Sequence, residues 1–439
     1  MIRDGLDEWV LHDSLSLPVD PDDVDDAGLR PLLDLIGSSR VVALGESMHR
    51  THEFLAWRQR ILRFLVEHAG ITALVIESGF PEGAAVDRWV ASGEGDLRAA
   101  LDDGITYHFG KCQEALDLVT WMRQHNASGA SAVRFYGMDV PDSAASARPA
   151  LLEVIGFLDA ADPEYAAHAR HVILDVYAYL PEDRSGLARA APAIQSYLAL
   201  DSATRHTLSA AINGLVERIR ARQVDYHDRG VDNATIARAL RTAEVARGAD
   251  AFLAAMTDGP ARTWPAANIR DATMADTVEW ILEREERVLV VAANGHVRKT
   301  PYLAPPFVTV PLATVGTHLQ ARLGGDYVVI GTTFGGGESW LHRPGPDDAP
   351  GHSTPFIAPL GTLRADSLDR RFADADIGSF LIDLRSAPAT AAAVVDALHG
   401  THNGTELEQA DIRASFDLML HVERVSPWHT WIDDHGRWP

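Results

Sequence analysis

Short apolar runs rich in β-branched residues recur along the chain and predict buried parallel strands. Four stand out: Arg40-Val-Val-Ala-Leu-Gly, Ile71-Thr-Ala-Leu-Val-Ile, Ala132-Val-Arg-Phe-Tyr-Gly-Met and Val288-Leu-Val-Val-Ala-Ala. Segments of helical period separate or follow most of them. That alternation predicts an α/β fold, a mostly parallel sheet flanked by helices. From about Ser143 to Met256 the pattern changes to long Ala-, Leu- and Arg-rich stretches such as NATIARALRTAEVARGADAFLAAM, without a convincing strand. These predict a large helical insertion lobe. The stretch Asp258-Gly-Pro-Ala-Arg-Thr-Trp-Pro265 reads as its exit, because Gly and two Pro resist helix continuation. The expected division is a first part of the α/β core over 1–142, the helical lobe over 143–258 and a second part of the core over 259–439. Tyr327-Val-Val-Ile-Gly and Phe380-Leu-Ile-Asp-Leu predict further strands. Gly335-Gly-Gly reads as a loop, and lacks the following Lys-Ser/Thr of a phosphate cradle.

Composition narrows the function. With 439 residues, 46% hydrophobic and 23% charged, the chain has ample material for a core. Its formal charge of −23 repels phosphates and excludes a nucleic-acid partner. A small-molecule substrate remains open. No run of eighteen apolar residues occurs, so no membrane span is expected. The acidic start MIRDGLDEWVLHD shows no secretory signal, and a cytoplasmic location is expected. The one cysteine, Cys112, rules out an intrachain disulfide and a thiolate zinc cluster. It reads as structural. Composition says nothing about oligomeric state.

The four strands share an unusual ending. The first stops at Glu46 and His49, the second at Glu77, the third at Asp139, and the fourth at Asn294 and His296. Ligands of open α/β sheets bind outside the carboxyl ends of the strands, so these groups are expected in one crevice. An acid capping the next helix explains any one ending. It does not explain all four, because clustered carboxylates repel. Arg58 lies on the same helical stripe as Phe54, Ile61 and Leu65. Either it snorkels from the edge of that face, or its guanidinium is held inside to pair with Glu46 or Glu77. Asp271 reads as the cap of another amphipathic helix. His52, His108 and His227 have no comparable context and read as solvated or core residues.

Ser47, in Gly-Glu-Ser-Met-His, does not form the G-x-S-x-G elbow of a serine nucleophile. An imidazole beside carboxylates and a fixed cation suits general-base activation of water. A carboxylate on one ring nitrogen would set the tautomer and raise the basicity of the other. The same set satisfies the ligand count of a zinc or manganese site, which an embedded arginine would oppose.

These residues carry a resemblance. The stretch Val41-Val-Ala-Leu-Gly-Glu-Ser-Met-His-Arg-Thr-His-Glu-Phe, with Arg58 in the following helix, resembles the opening motif of the erythromycin esterase family. Val75-Ile-Glu-Ser-Gly-Phe-Pro-Glu-Gly, Gly137-Met-Asp-Val-Pro, Arg270-Asp-Ala-Thr-Met-Ala-Asp and Val290-Val-Ala-Ala-Asn-Gly-His-Val-Arg-Lys-Thr-Pro continue it in order. The match runs from about residue 35 to 335 and loosens beyond. The resemblance implies an α/β hydrolase with a helical lobe that opens the lactone ester of a macrolide or other polyketide, as in antibiotic resistance, with no cofactor or metal. It makes His49 the water-activating base and Glu46 its partner, with Arg58, Glu77 and His296 in support. Asp139, Asn294 and Ser47 are expected to contact substrate. The chain departs from the family at Ala293. Macrolide-cleaving relatives usually carry a histidine there, reading A-H-N-x-H. Such a contact is worth roughly a hundredfold in rate. The alternative is therefore a natural-product biosynthetic reaction, in which the same base drives lactonisation, transesterification or cyclisation.

Overall fold

The computed structural model describes residues 5–18, 20–23, 25–180, 190–257, 263–306, 308–343 and 354–431. Every strand expected from the apolar runs is present in one eight-stranded sheet. Its members are β1 (Leu15–Leu17), β2 (Val41–Glu46), β3 (Ala73–Gly79), β4 (Arg134–Asp139), β5 (Val288–Ala293), β6 (Tyr327–Phe334), β7 (Ser379–Asp383) and β8 (Leu418–Val422). Their order is β1-β7-β8-β6-β2-β5-β3-β4. Six neighbouring strands, β8 to β4, run parallel, and β7 pairs antiparallel with both β8 and β1. The central strands are buried along their whole length, because helices cover both faces. That is why they read as continuous apolar runs instead of alternating ones.

The helices that matter for the site are α1 (His52–His68), α2 (Gln113–Ala127), α3 (Arg148–Ala161), α4 (Ser202–Ala221), α5 (Asn233–Met256), α6 (Thr263–Leu282), α7 (Asn294–Val297) and α8 (Val315–Leu323). On one face, Phe54, Ile61 and Leu65 of α1 and Leu118 and Met122 of α2 pack on Leu44, Ile76 and Val291. On the other, Met274, Val278 and Ile281 of α6 and Leu319 of α8 pack on Val41, Val75 and Val290. Between β4 and β5 the described regular elements are all helical. Leu151, Ile155, Leu208, Ile212, Leu215 and Leu253 give α3, α4 and α5 a core of their own. The expected exit stretch lies partly outside the described residues, at 258–262. The residues beyond it already belong to α6, because proline is tolerated in a first helical turn. Gly335 to Gly337 do form the loop after β6. No helix of the described residues is long and apolar enough to cross a membrane.

β5 enters the sheet between β2 and β3, although it follows them in sequence by some two hundred residues. The register aligns Glu46 with Ala293, so the ends of β2, β5 and β3 stand side by side. Gly45 makes this possible. A Cβ there would lie 2.2 Å from Asn294 Oδ1, the atom that accepts from the Thr332 amide.

Candidate active site

His49 is presented where β2 ends. His49 Nδ1 lies 2.5 Å from Glu46 Oε1, three residues earlier on the strand. This bond leaves Nε2 pointing to the crevice, 3.9 Å from Glu77 Oε2 at the end of β3. The gap is too wide for a hydrogen bond. Phe109 packs against the imidazole, with ring centroids 4.8 Å apart. Burial pulls the His49 pKa down, but the charges of Glu46 and Glu77 outweigh it and leave it above 6.5.

A chain of charged groups continues from Glu77. Arg270, on α6, donates from Nη2 to Glu77 Oε1 at 2.9 Å. It also grips Asp139 at the end of β4, Nε to Oδ1 at 2.9 Å and Nη2 to Oδ2 at 2.5 Å. Asp139 is fully buried and also accepts from Tyr107 Oη at 2.8 Å. His296, on α7, lies 3.3 Å through Nε2 from Glu77 Oε1 and 2.9 Å through Nδ1 from Asp271 Oδ2. Asp271 in turn accepts the Val315 amide at the start of α8, at 3.0 Å. Burial opposes charge on His296, yet Asp271 and Glu77 together hold its pKa well above 6.5. Burial also opposes charge on Glu77, and the His296, His49 and Arg270 charges overcome it, so its pKa lies well below 4.5. The site thus sets the His296 imidazole between two carboxylates, Glu77 and Asp271, with Arg270 Nη1 3.4 Å from its Nε2.

These groups open onto a cavity of about 430 Å³. His49, Glu77, Arg270 and His296 form its polar floor, Val308 and Leu312 an apolar wall, and Tyr302, Asn403 and Glu408 the opposite rim. Ala293 also faces it with a methyl group, and its amide donates to Glu77 Oε2 at 3.2 Å.

The structure thus gathers Glu46, His49, Glu77, Asp139 and His296 at one end of the sheet. Other expectations change. Arg58 is buried on α1 but, among the described residues, makes no ion pair with Glu46 or Glu77. It lines, with both of them, a cavity of about 20 Å³ beneath the site. The guanidinium that holds Glu77 is that of Arg270. Asp271 is not a cap: α6 starts eight residues earlier, and the carboxylate orients His296. Asn294 and Ser47, expected to contact substrate, are buried and tied to β6. The Asn294 Nδ2 donates to Thr332 O at 2.8 Å and the Ser47 amide to Thr332 Oγ1 at 2.7 Å. Asp139 lies behind Arg270. Arg270 and Tyr107 were missed as functional residues. The motif Arg270-Asp-Ala-Thr-Met-Ala-Asp was a signal for the first, while Tyr107 sits in an irregular loop with φ 58° and leaves no periodic trace. Cys112 is buried, and burial first, then the Glu114 charge, pushes its thiol far up, so it is unsuited as a nucleophile.

Another acid, the half-buried Glu82, lines a neighbouring cavity with Tyr107 and Asp142. Glu82 accepts the Asp142 amide at 2.7 Å through Oε1, while Oε2 is sealed from solvent without a partner. Burial pushes its pKa up to about 8 from 4.5. Between those values the folded chain holds a proton that the unfolded chain has lost, so stability falls as pH rises. Glu82→Gln is expected to melt progressively above the wild type from pH 5 to pH 8, the stability difference growing by about 3–4 kcal/mol across that range. A constant difference in melting temperature across that range would show that Glu82 is ionised throughout.

The fold and this site define a class: an α/β protein with an imidazole–carboxylate pair and a buried ion network at the carboxyl ends of its parallel strands. The erythromycin esterase family model matches residues 66–425, and the chain belongs to that family. It is 26% identical over 433 residues to erythromycin esterase type II of Escherichia coli, covering 96% of this chain and 98% of that one. Erythromycin esterase type I of Escherichia coli is 22% identical, over 78% of this chain and 82% of the relative. Among solved structures, a Bacillus cereus protein superposes with a TM-score of 0.78 at 23% identity, covering 97% and 98% of the two chains. A mutant of the erythromycin esterase EreC in its open conformation gives 0.74 at 18% identity, covering 93% and 96%. Both share the fold.

Proposed function

We propose that the chain hydrolyses an ester or macrolactone of a polyketide, with His49 as general base toward water. The observation that carries this reading is the orientation of His49. Glu46 holds Nδ1, and Nε2 is left to accept a proton at the floor of the cavity. Water between Nε2 and the substrate carbonyl would lose its proton to His49 as it attacks. The developing negative charge would form beside His296 and Arg270, two cations fixed before the reaction starts. His296 could then return a proton to the leaving alkoxide. The reaction is proposed to need no metal ion, because the Arg270 guanidinium already occupies Glu77 and Asp139 and would repel a divalent cation. The test is intact mass by liquid chromatography after incubation with a panel of macrolides. A product one water heavier, formed by the wild type and not by His49→Ala, is expected. No such product across the panel would set macrolide cleavage aside.

One observation favours a second reading. Ala293 presents only a methyl group to the cavity and has committed its amide to Glu77. A site without that imidazole suits deprotonation of a substrate hydroxyl, giving lactonisation or transesterification in biosynthesis. A product lighter than a hydroxy-ester substrate by the alcohol it expels, with no water added, would favour it over hydrolysis.

The pH dependence supplies a further check on the base. Rate is expected to rise as His49 loses its proton, with an apparent pKa above 6.5. Glu46→Gln removes the larger of the two charges that raise this value. Its rising limb should move to lower pH while the plateau falls. A limb that stays in place would assign the titration to another group.

A further inference from the structure

His52, Glu114 and His429 meet on the surface beside α1 and α2, outside the catalytic crevice. His52 Nδ1 lies 2.7 Å and His429 Nδ1 2.9 Å from the same oxygen, Glu114 Oε1. We propose that these three side chains form a divalent-metal site of zinc type that pins the segment 425–430 to the start of α1 and α2. Two imidazoles and a carboxylate are the donor set of three-ligand zinc centres, with solvent completing the fourth position. The three donor atoms lie within 4.8 Å of one another. A tetrahedral ion with bonds of about 2.0–2.1 Å spaces its ligands roughly 3.3 Å apart, so each imidazole nitrogen must draw back from Glu114 by about half an ångström to admit it. Glu114 is buried, while the His429 side chain is mostly exposed and gives the ion a path from solvent.

The backbone already holds the ligands in place. His52 N donates to Ser426 O at 2.9 Å, and Ser426 is gripped by Glu53 through both its amide and its hydroxyl. Gln113 N donates to His429 O at 3.0 Å, and the His429 amide donates to Glu114. Isolated bridges join Thr51 to Pro427 and Cys112 to Thr430. Charge separates this cluster from its nearest rivals. Among the described residues, no lysine or arginine pairs with Glu114. In contrast, Arg60 occupies Asp26 in the cluster of Asp26, Glu67 and His68, and Arg270 occupies Glu77 in the crevice. The pinned segment also carries Trp428, whose ring lies 5.9 Å from the Arg50 guanidinium, one residue from the base. Metal at this site would therefore stiffen one wall beside His49.

The probe is zinc chloride added to tag-free protein previously stripped with chelator, read by calorimetry and by metal analysis after dialysis. One zinc per chain is expected, with a rise in melting temperature. His429→Ala should weaken binding at least about tenfold and abolish that rise, and Glu114→Gln should do the same. His429 is exposed, so its variant folds whatever the fate of Glu114→Gln. His296→Ala should retain the ion. Three results would overturn the proposal: no binding at micromolar zinc, undiminished binding by His429→Ala, or loss of the ion from His296→Ala, which would put it in the crevice.

Discussion

Replacing His49 by alanine is expected to lower kcat/KM for ester cleavage by about a thousandfold, within the range of general-base contributions. The melting temperature should move by only a few degrees, because the imidazole is one-third exposed and itself lines the cavity that water can enter. Glu46→Gln keeps a hydrogen-bonding partner for Nδ1 but removes the charge that holds the ring as a strong base. It should therefore fall between the wild type and His49→Ala. Steady-state kinetics on whichever ester the mass screen identifies would check both. Equal losses in the two variants would mean that orientation, not basicity, is what Glu46 supplies. A loss below about tenfold in His49→Ala would remove His49 from the proton transfer and leave Glu77 as the candidate base.

The strand ends were legible because two signals coincide there. A buried parallel strand is a short apolar run, and the residues just past its carboxyl end must face the crevice. Glu46, His49, Glu77, Asp139 and His296 could all be placed at that end of the sheet in this way, although Asp139 proves to lie behind Arg270. Their partners could not, because α6 approaches from the far side of a helical lobe. Arg270 meets Asp139 across 131 positions and Glu77 across 193, and no periodicity reports such a contact. Arg58 was conspicuous for the opposite reason: a charge on an apolar stripe is visible in sequence, whereas the reach of its guanidinium is not. Asp271 was misread because an apolar pattern becomes clear just after it. The helix begins earlier, through a turn containing Pro265, and so places the carboxylate in mid-helix facing α7 and α8. The context of His52 is hidden in the same way, since Glu114 and His429 are distant in sequence.

Arg270→Leu is expected to cause the largest loss of stability of any single change at the site. Among the described residues the guanidinium is the one cation paired with Asp139, which is fully buried, and it shares Glu77 with His296. Removing one partner of such a pair leaves a charge out of water and typically costs about 3–5 kcal/mol. The remaining Asp139 carboxylate would keep its bonds from Tyr107 Oη and the Val140 amide, but these donate without neutralising it. The deficit against the wild type, measured by urea denaturation at neutral pH, should fall in that range. Arg270→Lys keeps the charge and loses the two-armed grip, and should recover part of the stability. Activity should fall in both, because Glu77 would no longer be held opposite His49. A deficit under about 1 kcal/mol would mean that the cation of the network rests on Glu77 alone.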